Sequence, residues 1–91
     1  MQLARYTVEL RARTDIREAA ARARQATEQL RREGAQIRFL RSIYVPEDDA
    51  CFFLYEGPSA PAVKAAALRA ELGVVRVDEA LRIDFEEGGT T

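Results

Sequence analysis

A chain of 91 residues has room for one domain, and at this size folding buries only about 60–65% of the surface that the unfolded chain exposes. With 32% charged residues, no apolar run approaching about 18 residues and no apolar stretch near Met1, neither a membrane span nor a signal peptide is expected, and the expected location is cytoplasmic. Fourteen basic residues against 15 acidic ones leave a net charge of −1, which lacks the cationic surplus that a nucleic-acid partner demands.

Residues 3–10 alternate, with Leu3, Tyr6, Val8 and Leu10 interleaved with Arg5, Thr7 and Glu9, and predict a half-buried strand with an irregularity at Ala4. Asp15 then suits a helix N-cap, with Glu18 three residues on to complete a capping box. Ile16, Ala19, Ala20, Ala23, Ala26, Thr27 and Leu30 recur at helical spacing on one face, and Gly34 is placed to stop the helix. The opposite face carries Arg17, Arg22, Arg24, Glu28, Arg31 and Arg32; the spacings Glu18–Arg22 and Glu28–Arg32 favour ion pairs, and the stripe reads as a solvated surface.

Residues 36–45 return to a strand pattern, with Ile37, Phe39, Ile43 and Val45 on one parity and Arg38, Leu40, Ser42 and Tyr44 on the other. Pro46 to Asp49 is a polar turn of hairpin length. Cys51-Phe52-Phe53-Leu54-Tyr55 follows, apolar on both parities, which marks a central strand. Ser59 or the turn after it opens a second helix with Pro61 in its first turn; Val63, Ala66, Ala67, Ala70 and Leu72 form its inner stripe and Gly73 is expected to end it. A last strand is predicted from about Val75 to Phe85, with Val77, Leu81, Ile83 and Phe85 inward. The single domain then spans 1–86, and 87–91 reads as a flexible tail.

The order β-α-β-β-α-β, with short connections and right-handed crossovers, predicts an α+β, ferredoxin-like domain: a four-stranded antiparallel sheet, both helices on one face, strands 1 and 3 central. Two helices cover one face only. Either Phe52 and Leu54 or Cys51, Phe53 and Tyr55 must therefore face away from them, joined by Leu40 or Phe39. A bare sheet face with large apolar groups is an interaction surface, so pairing with a second copy into a dimeric α/β barrel is expected.

Tyr6-Thr7-Val8-Glu9, Arg38-Phe39-Leu40-Arg41-Ser42, Tyr55-Glu56-Gly57-Pro58-Ser59 and Arg76-Val77-Asp78-Glu79, in this order over residues 4–84, resemble the ferredoxin-like domain-of-unknown-function family 4242, some members of which are described as nickel-binding. The resemblance implies the same fold and raises a metal role. Where family members often carry a cysteine two residues before the strand-3 tyrosine, this chain has Phe53, and where they often carry a histidine in helix 2 it has Ala66. The chain holds no histidine at all, the usual nitrogen ligand for nickel, so neither a metal site nor a cofactor is predicted.

Without histidine a Ser-His-Asp or Cys-His device cannot be built, and the five glycines stand at element ends or in the tail, not in a phosphate loop. Glu9, mid-strand in a central strand, and Arg41, interrupting the apolar parity of strand 2, are the two residues that the pattern does not require. They are the first candidates to line a small-ligand site or to pair at a dimer seam. Tyr44 and Tyr55, each an apolar wall with a hydroxyl, are the next. Cys51, the lone cysteine, reads as a small buried hydrophobe. The expected function is a homo-oligomeric domain that binds a small ligand, with a metal kept as an option although the chain lacks histidine. The alternative, resting on fold analogy, is a small cofactor-independent oxygenase, isomerase or cyclase with no catalytic residue assigned.

Overall fold

The computed structural model describes residues 2–11 and 15–80. Within them the elements run β1 (Ala4–Leu10), α1 (Ile16–Arg32), β2 (Arg38–Val45), a 3-10 turn (Pro46–Asp48), β3 (Ala50–Gly57), α2 (Ala60–Arg69) and β4 (Val74–Ala80). The inward residues expected of strand 4 beyond Ala80 (Leu81, Ile83 and Phe85) and the tail 87–91 lie outside the described residues.

The sheet order is β2-β3-β1-β4 with every neighbouring pair antiparallel, so the doubly apolar third strand is central as expected. Both helices pack on one face. The alanine stripe of α1 (Ala19, Ala20, Ala23 and Ala26) and Val63, Ala66 and Ala67 of α2 are buried against Tyr6, Val8, Phe53 and Tyr55. Small side chains on the helices let them lie close to a sheet whose own residues supply the bulk. Phe39 adds edge-on contacts to the Phe53 and Tyr55 rings, at centroid distances of 5.1 and 5.5 Å.

The caps follow the chemistry of the sequence. The Asp15 carboxylate accepts from the Glu18 N–H and the Ser59 hydroxyl oxygen from the Ala62 N–H. The Glu18 carboxylate pairs with Arg22 at 3.4 Å. Gly34, at φ +97°, makes the left-handed turn that ends α1. Helix α2 ends differently from the expectation. Its C-cap is Ala70, and the left-handed residue is Glu71 at φ 60°. Gly73 instead brings β4 against the end of β1: its carbonyl accepts from the Arg11 N–H at 2.9 Å, and a Cβ there would stand 3.2 Å from the Arg11 side chain.

The parity expected for β2 is also corrected. The register against β3 shifts between Phe39 and Arg41, leaving Leu40 as an extra residue. Ile37 and Phe39 face the helices, but beyond the bulge the alternation inverts, so Arg41 and Ile43 lie with Leu54 and Phe52 on the other face. A single inserted residue reverses every side chain after it.

Candidate functional site

The face of the sheet away from the helices is built in rows. One runs Ile43, Phe52, Glu9, Arg76 across β2, β3, β1 and β4, and the next runs Arg41, Leu54, Thr7, Asp78. The β2–β3 half is therefore apolar at its centre, with Ile43 39% exposed and Phe52 and Leu54 half-buried. The β1–β4 half is charged. The Arg76 guanidinium bridges Glu9 at 3.2 Å and Asp78 at 2.9 Å.

Glu9 and Arg41 thus share this face but do not meet. They stand two strands apart, roughly 10 Å from the strand spacing alone, with β3 between them. Glu9 takes Arg76 as its partner, while Arg41 joins no ion pair among the described residues.

The two tyrosines lie elsewhere. Tyr44, 49% exposed, pairs with Cys51 in register at the sheet edge, and its hydroxyl donates to the Asp49 carboxylate at 3.2 Å. That hydrogen bond, backed by the Asp49 charge, raises the phenol above its ordinary range. Tyr55 is fully buried on the helix side. Burial pushes its phenol up to about 12, opposed slightly by Thr27 of α1. The two hydroxyl oxygens are close enough to influence each other, yet neither has a partner at hydrogen-bonding geometry. Among the described residues both are unpaired polar groups in the core. Cys51 is buried as expected, and burial raises its thiol, which leaves it a poor nucleophile and a poor ligand.

The concavities that adjoin α1 include an apolar one and a charged one. An apolar cleft of about 430 Å³ is lined by Leu30, Ile37, Pro58, Ala62 and Ala66, between the end of α1 and the start of α2. A wider, open groove of about 810 Å³ separates α1 from β2 and is lined by Arg24, Arg31, Arg32 and Arg38, with Glu28 as the one carboxylate among its described lining residues and Phe39 as apolar wall. The sequence pattern did not single this groove out, because the arginines of α1 alternate with glutamates. The only available signal was the arrival of Arg38 after the helix.

A four-stranded antiparallel sheet with two helices on one side and, on the other, a half-apolar face that no described residue covers defines a ferredoxin-like α+β domain whose open sheet face is its candidate interaction surface. The chain belongs to the nickel-responsive SCO4226-like family, whose model matches residues 8–79. Among solved structures it is similar to SCO4226 from Streptomyces coelicolor A3(2), with a TM-score of 0.64 and 23% identity over 89% of this chain and 100% of that one. At that identity the likeness speaks for the fold. No curated protein matches the chain.

The family name raises nickel, and the donors of this chain do not suit that ion. There is no histidine, the one thiol is buried with its proton held on, and no three Asp, Glu or Cys side chains cluster among the described residues. The positions at which the family resemblance would put a cysteine and a histidine hold Phe53 and Ala66, which are 0% and 1% exposed in the apolar core.

Proposed function

We propose that this chain is a self-associating binding module in which two copies pack their bare sheet faces together into one α/β barrel and hold a small ligand at the seam. The observation that carries the reading is the contiguous patch of Ile43, Phe52 and Leu54 on the β2–β3 half of a sheet face that no described residue covers. Apolar surface of this kind gains from leaving water, and a second sheet of the same shape covers it. The charges around the patch suit a second copy. A two-fold axis along the strands sets the β2 edge of one copy, with Arg41, over the β4 edge of the other, which carries Asp78 beside the Glu9–Arg76 pair. In that arrangement Glu9 and Arg41, which do not meet within one chain, come to opposite walls of one seam and are the groups that would fix a small polar ligand.

Light scattering after gel filtration tests the reading. The expected mass is twice 10.2 kDa for the native chain and 10.2 kDa for Phe52→Glu, which places a charge in the patch without touching the helix-side core. A native chain that runs as a 10.2 kDa monomer at its highest soluble concentration overturns it.

A further inference from the structure

The groove between α1 and β2 concentrates charge that the sequence spreads evenly. Glu18 and Glu28 of α1 and Glu33 at its C-cap are interspersed with the five arginines of the helix and offset part of their charge. The fold sorts them. Glu18 is held by Arg22, whose Nε also donates to the Ala70 carbonyl at 3.0 Å. Glu33 is drawn away by Arg69 of α2, with two contacts at 2.9 and 3.3 Å. What remains around the groove is Arg24, Arg31, Arg32 and Arg38 against Glu28.

These four guanidinium groups keep donors to spare. Arg24 lies over the Phe39 ring at 5.3 Å, which orients it without using its N–H groups. Arg31 spends one nitrogen on the Ile37 carbonyl at 3.2 Å, pinning the turn after α1 to the helix. Arg38 reaches Glu56 only at 3.8 Å, and Arg32 joins no ion pair among the described residues, although Glu28 stands one turn before it. Planar guanidinium forks bind phosphate and carboxylate oxygens in pairs. A concavity of about 810 Å³ is of the size that small-molecule sites occupy.

We infer that the α1–β2 groove is a binding site for a small polyanion, a molecule bearing phosphate or several carboxylate groups, gripped by Arg24, Arg31, Arg32 and Arg38. Helix α1, which carries Arg24, Arg31 and Arg32, lies on the opposite side of the sheet from Phe52 and Leu54, while Arg38, in register with Glu56, joins the groove from the β2 edge; the three helix arginines therefore do not depend on self-association.

The test is a titration followed by amide NMR at constant ionic strength, with pyrophosphate as one arm, citrate as the other and sodium chloride as the reference. Saturable shifts confined to the groove, at residues 24–32 and 38–39, are expected with one or both polyanions, and the stronger arm identifies phosphate or carboxylate as the natural head group. The double variant Arg24→Gln/Arg32→Gln, both positions exposed, binds roughly tenfold more weakly or worse. The charge-matched control Arg17→Gln/Lys64→Gln, outside the groove, binds as the native chain does. Shifts that chloride reproduces, no saturation with either polyanion, or equal loss in the control and groove variants each overturn the inference.

Discussion

Along β3 two sets of residues with much the same chemistry have opposite fates. Cys51, Phe53, Tyr55 and Gly57 face the helices and are buried, while Ala50, Phe52, Leu54 and Glu56, one residue out of phase, stay half-covered. Each set contains an aromatic ring and a further apolar side chain. Hydrophobicity therefore does not choose which of them makes the core. That choice falls to α1 and α2, whose alanine-rich stripes close over one face and leave nothing for the other.

The contrast can be broken most directly by truncation. Phe53→Ala should lower stability by about 3–5 kcal/mol in urea unfolding, because it opens a cavity among fully enclosed neighbours. Leu54→Ala, next in the chain, should cost well under that at low protein concentration, with a loss that grows as concentration rises and the faces pair. Equal losses at the two positions, independent of concentration, would mean that the open face is covered within a single chain.

The next effect is alkaline. Tyr55 is neutral in the core with its phenol pushed up to about 12, against 10.0 in the unfolded chain, so unfolding releases a proton between those values. Its contribution is fully present below pH 10 and is lost as pH rises to about 12, amounting to about 2–3 kcal/mol. Tyr55→Phe should flatten that part of the stability–pH curve. Near neutral pH the same change should be neutral or slightly stabilising, because it removes a buried hydroxyl that has no partner.

A smaller loss is expected from Gly57→Ala. Its Cβ would stand 2.8 Å from the Ile37 side chain and 3.0 Å from that of Val63, which overpacks the covered face and should cost about 1–3 kcal/mol by thermal unfolding. Arg76→Ala on the open face sits at the bottom of the scale. It removes two ion pairs, but the guanidinium is 67% exposed, so a stability change below about 1 kcal/mol is expected. A larger loss there would show that the charged half of the open face is desolvated by a partner.

Much of the fold was legible because its signals are local. The capping oxygens of Asp15 and Ser59, the left-handed Gly34 and the alanine spacing of α1 are carried by neighbours within a few residues. Two features escaped. The stop of α2 moved to Glu71, a residue that takes φ > 0 only under constraint, because Gly73 is used to dock β4 beside Arg11. The bulge at Leu40 left only an indirect trace, the charged Arg41 on an apolar parity. The candidate site was legible in the same partial way. Glu9 and Arg41 do lie on one face, Tyr55 lies on the other, and the arginine groove became visible only once Glu18 and Glu33 were seen to pair elsewhere.

The sequence by itself determined the element order, the central place of the doubly apolar third strand and the inner stripes of both helices, because periodicity and capping act over a few residues. The tertiary structure decided which parity of β3 is core, where Arg41 points and which arginines keep unspent donors. The first depends on which face the two helices close over, and the others on a one-residue bulge and on ion pairs between distant elements, Glu33 with Arg69 and Glu9 with Arg76, for which no sequence spacing carries a signal.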